Sequence, residues 1–353
     1  MMGPEGRWRK GGPVAHIVSF LQGFSGNFKA ALLLWPMLSL LLTLPILAYL
    51  YHRDGRLRWG SALAAYASVL YIAGLGCFTL YPLPSGTEGP GITYGISPQL
   101  DPLNFIADIR RDGLTAVFQL LFNIVLFLPL GFIAQRFLRL GPLPTVLLSL
   151  GTTLLIETAQ LTGLFGVYPF AYRTFEVDDI ITNTLGGALG WLAGRLVDKA
   201  GFAEEAPQVP LCRQPGFIRR CTSFWIDCLI MGFAFLVLWA VISLAVELLF
   251  SDIMAAAGLE IARVTGTLAV LCAAAVLIVV EVVFPWTHGG STPGGLFTHM
   301  TVESFDRSPG WRAVFYALRL LVLGLTLLYP LFMAVILGLF YLIARRMPYD
   351  LLP

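Results

Sequence analysis

The chain has 353 residues, of which 57% are hydrophobic and only 12% charged, and its mean hydropathy is +0.77. That composition excludes an ordinary soluble globular domain, and a net charge of +2 with dispersed basic residues excludes an electrostatic grip on nucleic acid. Five cysteines (Cys77, Cys212, Cys221, Cys228, Cys272) and four histidines (His16, His52, His288, His299) show no CxxC, HExxH or mixed ligand spacing, so neither a metal nor another cofactor is expected.

Residues 1–30 come first, and their opening MMGPEGRWRKGG precedes a weakly amphipathic stretch at 14–28 that suits a membrane surface. No short apolar core there ends at a small-residue cleavage site, so the N-terminus is expected to be uncleaved. Eight apolar blocks follow, at 31–50, 61–81, 116–134, 143–163, 180–197, 222–250, 262–284 and 316–343. Each is near or above the ~20 residues that a helix needs to cross the hydrocarbon core, and inside lipid a helix satisfies its own backbone. The expected fold is therefore all-α: a polytopic integral membrane protein of about eight transmembrane helices, with the lipid bilayer as its first partner.

Between the fifth and sixth blocks, residues 198–216 (DKAGFAEEAPQVPLCRQPG) are polar and proline-bearing, as a linker would be. They divide a five-helix domain at 31–197 from a three-helix domain at 217–346. No internal repeat relates the two, which gives no support to an inverted-repeat transporter. Arg53, Arg56 and Arg58, then Arg136 and Arg139, then Arg195, Lys199, Arg213, Arg219 and Arg220 fall on one side, which the positive-inside rule assigns to the cytoplasm. The loops at 82–115 and 164–179 then face outward. Arg7, Arg9 and Lys10, with Arg345 and Arg346, run against this assignment. The N-terminal conflict disappears if residues 14–28 enter the bilayer.

Helical spacing gathers the polar residues onto faces. Ser149, Thr153, Glu157 and Gln160 share one face of the fourth block, and Gln119 and Asn123 are four apart in the third. In the fifth, Asp179, Asn183, Gly186, Gly190 and Gly194 share a face, and the last three form a doubled GxxxG pattern for close helix packing. An uncompensated carboxylate such as Glu157 costs about 2.5–3.5 kcal/mol at the bilayer centre, and Arg173 is its natural bidentate partner. Pro129 removes a backbone donor and frees the carbonyl of Val125. Asn123, Glu157, Gln160, Arg173, Asp178, Asp179 and Asn183 thus outline one outward-facing polar pocket. A plainer reading stays open: Asp178 and Asp179 precede a helix, where carboxylates cap free amides and suit the positive dipole end.

These residues carry a family resemblance. FNIVLFLPLGF, ETAQL and RTFEVDDIITNTLGGALG, in this order, resemble the VanZ-like family of bacterial membrane proteins over roughly residues 30–197. The matching positions are Asn123, Pro129, Gly131, Glu157, Gln160, Arg173, Asp178, Asp179, Asn183 and Gly186. The family takes its name from a low-level teicoplanin resistance factor. The resemblance therefore implies a role at the bacterial cytoplasmic membrane in cell-wall or surface-glycan chemistry, with a cell-wall, glycopeptide or lipid-linked glycan precursor as candidate ligand.

Past the linker, PGFIRRCTSFWIDCLIMGF sets Arg220 and Asp227 seven residues apart, and STPGG opens a long turn-rich connection. This stretch, about 215–345, is similar to the RDD family, named for Arg and Asp residues in its first two helices. Gly295 stands where that family's turn usually has lysine, and the second helix offers Glu281 in place of an aspartate. Arg220 also suits a cytoplasmic edge, and Glu281 is a candidate counterpart for Arg220 or Arg319. Three functions fit. The first is an envelope protein whose outer pocket binds a ligand. The second is a small ion or solute transporter using Asp227 and Glu281. The third is a membrane enzyme acting on a lipid-linked substrate with Glu157 or Asp179 as acid or base. The absence of a recognisable nucleophile weighs against the enzyme.

Overall fold

A computed structural model describes residues 25–81, 83, 97–171, 173–202, 209–256 and 260–353. Most of the N-terminal segment, including residues 14–24 of its amphipathic stretch, lies outside the described residues, as do much of the 82–115 loop and linker positions 203–208. The chain divides into two compact units: Met1–Leu41 with Leu63–Glu205, and Leu42–Ala62 with Ala206–Pro353.

The first unit contains most of α1 (Ser25–Asp54) and of α2 (Trp59–Leu80), then the short α3 (Asn104–Asp112), α4 (Leu114–Arg136), α5 (Pro142–Leu161) and α6 (Val177–Val197). Gly113, with φ of 61°, turns α3 into α4. α5 starts with Pro142, where a missing backbone donor costs nothing. Beyond α5, Leu164 and Phe165 adopt left-handed backbone angles in a tight turn at Gly163–Gly166, a strained path for side chains with a Cβ.

α6 holds this unit together through its small residues. A Cβ at Gly186 would strike the carbonyl of Ile124, and one at Gly190 the carbonyl of Leu128. One at Gly194 would meet the Gln135 side chain, and one at Gly131 the carbonyl of Gly187. The two backbones of α4 and α6 therefore touch along a seam that side chains would close. Pro129 sits inside α4 without ending it, and the phenol of Tyr71 donates to the nearby Leu126 carbonyl at 2.9 Å. Leu75, Phe127 and Ile156 fill the apolar centre between α2, α4 and α5.

The second unit contains α7 (Phe217–Ala256), α8 (Ile261–Ile278), α9 (Pro293–Phe297), α10 (Pro309–Leu328) and α11 (Pro330–Ala344). α8 runs on through a π-helical turn at Val279–Val283 to Thr287. Residues Met300, Val302, Phe315, Tyr316, Met333 and Leu337 form its largest core. Linker residue Cys212 exchanges backbone hydrogen bonds with the chain at His299 and Thr301, a short parallel bridge.

Eight described helices are long and apolar enough to cross a membrane. The surface supports that role: Leu33, Leu40, Leu331 and Ile343 are 77–87% exposed, as side chains facing lipid would be. The eight are apportioned differently from the sequence blocks. The last block is two helices, because Pro330 lacks a donor and Tyr329 before it takes a non-helical ψ of 61°. α6 is not one of the eight. Its 21 residues reach about 31 Å, but glycines and polar residues dilute its apolar character.

Candidate functional site

Polar residues singled out in the first half come together where α5 ends and α6 begins. Glu157 lies one turn before the end of α5 and is 2% exposed. Its Oε2 accepts the backbone N–H of Glu176 at 3.1 Å. Glu176 is the residue before α6, and its backbone is also pinned by Gln99. The Gln99 amide donates to the Phe175 carbonyl at 2.8 Å, and the Val177 amide donates to the Gln99 carbonyl at 3.1 Å.

From α4, Asn123 Nδ2 donates to Asp179 Oδ1 at 2.6 Å, a short charge-assisted bond joining the two helices. Gln160 Nε2 and Arg173 donate to one acceptor, the Thr79 carbonyl, at 2.7 and 3.2 Å. That carbonyl lies in the last turn of α2, where no intrahelical partner exists. Arg173 is exposed and forms no ion pair with Glu157 among the described residues, so the expected guanidinium–carboxylate clasp is replaced by two separate bonds to backbone. Asn183 sits deeper, donating to Thr153 Oγ1 at 2.9 Å, and belongs to the helix contact.

The carboxylates at the start of α6 are close together. One oxygen each from Glu176, Asp178 and Asp179 lies within 4.8 Å of the others. The side chain of the N-cap residue, Glu176, accepts no amide of α6, while backbone amides at Asp178 and Asp179 bond the Asp178 carboxyl, and both aspartates occupy the first turn at the positive dipole end. Asp178 is 5% exposed, and its Oδ1 has no hydrogen-bond partner. Burial, with Asp179 and Asp178 close by and Asp108 adding to them, pushes the Glu176 carboxyl up to about 7, against the pull of Arg173. With Glu157, four carboxylates gather near one guanidinium. Oxygen-only sets of this kind suit protons, a cationic group or a hard divalent ion; the Cys and His spacing of the sequence does not bear on them.

The second unit places its predicted ions differently. Asp227, 1% exposed on α7, accepts Thr292 Oγ1 at 2.7 Å and the Gly294 amide at 2.6 Å, which anchors the start of α9. A Cβ at Gly294 would strike the Ser223 carbonyl, which explains glycine in this STPGG turn. Arg319 pairs with Glu281 Oε2 at 2.6 Å and also donates to the Glu281 carbonyl at 2.8 Å, an acceptor exposed by the π-helical turn. Arg220 pairs with Asp350 at 2.7 Å. Arg219 donates to the Thr298 carbonyl at 2.9 Å and lies over the Tyr51 ring.

Several participants were not assigned to a site from the sequence. Glu176 lay outside every periodic face because it precedes its helix. Thr79 contributes only its carbonyl, for which no residue type is a signal. Asp350 is the second unit's omission, sitting next to the chain's end in a short 3₁₀ turn at Pro348–Leu351.

No curated protein and no solved structure matches the chain. Family models do: residues 68–198 match VanZ/LLP1, and residues 214–352 match the RDD family. The first match contains every residue of the polar cluster, and the second contains Arg220, Asp227, Glu281 and Arg319. The chain is thus a multi-pass membrane protein that joins a VanZ-like region at 68–198 to an RDD-family region at 214–352.

Proposed function

We propose that the acidic mouth of the VanZ-like region faces outward from the bacterial cytoplasmic membrane. There it binds a cell-wall, glycopeptide or lipid-linked ligand through a positively charged group. The observation that carries this reading is the imbalance of charge: among the described residues, Glu157, Glu176, Asp178 and Asp179 gather near one guanidinium, that of Arg173. A bundle that needed carboxylates only for its own stability would neutralise them internally, because unpaired buried charge is expensive. A cationic group entering the mouth completes the set. Asn123, Gln160 and Arg173 hold the surrounding backbone and Asp179 in place, so the site is preorganised before the ligand arrives.

The test is teicoplanin susceptibility of a sensitive bacterium expressing the wild-type protein or Asp179→Asn, with membrane abundance measured alongside. Asparagine keeps the oxygen that accepts from Asn123 and removes only the charge. Wild-type protection that disappears in an equally abundant variant supports the reading. A wild type without protective effect removes glycopeptide from the ligand classes, and equal protection by both proteins removes Asp179 from the site.

A second reading has its own observation. Asp227, Arg220 and Arg319 line a cavity of about 200 Å³ within the RDD-family region, and an intramembrane carboxylate at a cavity suits ion or solute transport. Flux in proteoliposomes that is lost in Asp227→Asn would favour it.

A further inference from the structure

The opposite end of the VanZ-like bundle carries a second site of opposite charge. Arg136 at the end of α4, Arg139 in the α4–α5 turn and Arg195 in the last turn of α6 line one cleft of about 520 Å³. Gln135, Leu140, Gly141, Pro142 and Trp191 also line it, and Asp198 is its one acid among the described residues. Asp198 is already committed. The Gln135 amide and the Arg136 guanidinium both bond it, and they hold its carboxyl below the usual carboxylate range.

Arg139 and Arg195 form no ion pair among the described residues, and both are exposed to the cleft. Arg139 is held there by a left-handed backbone, φ 54°, unusual for a residue with a Cβ. Arg195 lies 5.8 Å from the centre of the Trp191 ring, whose indole N–H donates to the Leu140 carbonyl at 3.0 Å. The ring is therefore fixed, and its face steers the guanidinium.

Position identifies the occupant. The cleft lies at the end of α4, the start of α5 and the end of α6, on the side that the arginine distribution assigns to the cytoplasm. Its lining residues are flanked in sequence by exposed leucines: Leu138, Leu143, Leu192 and Leu196 are 50%, 67%, 48% and 57% exposed. A cationic floor with such leucines beside it in the chain fits a phosphate whose ester carries acyl chains, since the head meets arginine while the chains lie along leucine. A tryptophan at this depth suits the headgroup layer as well. We propose that this cleft is a binding site for the headgroup phosphate of an anionic phospholipid in the cytoplasmic leaflet, with Arg139 and Arg195 as its principal donors.

The probe is phosphatidylglycerol against phosphatidylcholine, offered to the purified full-length protein and read by native mass spectrometry. The wild type should retain phosphatidylglycerol preferentially, and each free arginine replaced should weaken retention by about fivefold. Arg139→Gln with Arg195→Gln should abolish the preference, while Arg139→Lys with Arg195→Lys should keep most of it. Arg110→Gln with Arg111→Gln, on the distant α3, should leave it intact. Should the double glutamine variant fail to fold, Arg195→Gln alone must still show the single-step loss. The proposal is overturned by a wild type that retains both lipids equally, or by glutamine variants that keep the preference. It is also overturned if inorganic phosphate displaces the lipid at equal concentration, which would mark the cleft as a site for free phosphate.

Discussion

In the RDD-family region, the buried carboxylates find their partners inside the same unit. Glu281 meets Arg319, Asp350 meets Arg220, Glu303 meets Arg312 and Tyr316, and Asp227 is held by Thr292 and the Gly294 amide. In the VanZ-like region, Glu157, Glu176, Asp178 and Asp179 gather at one mouth, and none of them forms an ion pair among the described residues. Both regions are helical membrane bundles, so the contrast is not one of architecture. Ions that complete their pairs internally define a fold, whereas ions left in excess at one mouth wait for a group the fold does not supply.

The contrast can be broken most severely from the paired side. Arg319→Leu strands Glu281 in the bundle and should cost about 3–5 kcal/mol, read as a fall in thermal unfolding of the purified protein. Adding Glu281→Leu to the same chain should recover most of that loss. A double variant as unstable as the single one would mean that the pair is not the source of the effect.

A smaller effect separates packing from chemistry in the VanZ-like region. Gly190→Ala forces a Cβ against the Leu128 carbonyl, and the resulting overpacking should cost about 1–3 kcal/mol. Gly151→Ala on α5, with nothing within 4 Å of the added carbon, should be neutral or stabilising by about 0.5–1 kcal/mol. Equal losses in both would deny the α4–α6 seam its role.

The acidic mouth should also leave a signature in pH. Glu176 has its carboxyl raised from 4.5 to about 7, so the folded protein holds that proton more tightly than the unfolded chain does. Its contribution to stability is complete below pH 4.5 and is lost as pH rises to about 7. Unfolding midpoints measured across that window should decline in the wild type and decline less in Glu176→Gln. Parallel profiles would remove Glu176 from the cluster.

Much of this was legible in the residues. The membrane class follows from block length alone, and the faces bearing Glu157, Gln160, Asp179 and Asn183 follow from a helical period. The break at Tyr329–Pro330 was readable too, since proline inside an apolar block is a stop signal, but the block's continuous hydropathy hid it. Two things were not legible. Arg173 was expected to pair with Glu157 because the charges match, yet a backbone carbonyl of α2 outcompetes it, and carbonyl positions depend on tertiary packing. The basic cleft joins the end of α4, a turn and the end of α6, a convergence that no local period records.

The most direct measurement is the thermal unfolding of Asp179→Asn beside Glu281→Gln, each against wild type in the same detergent. Losing one negative charge from a crowded mouth relieves repulsion, so Asp179→Asn should unfold at or slightly above the wild-type temperature. Glu281→Gln removes one half of a completed pair and should unfold well below it. If Asp179→Asn falls as far as Glu281→Gln, the acidic mouth is part of the protein's own stability, and its reading as a ligand site is contradicted.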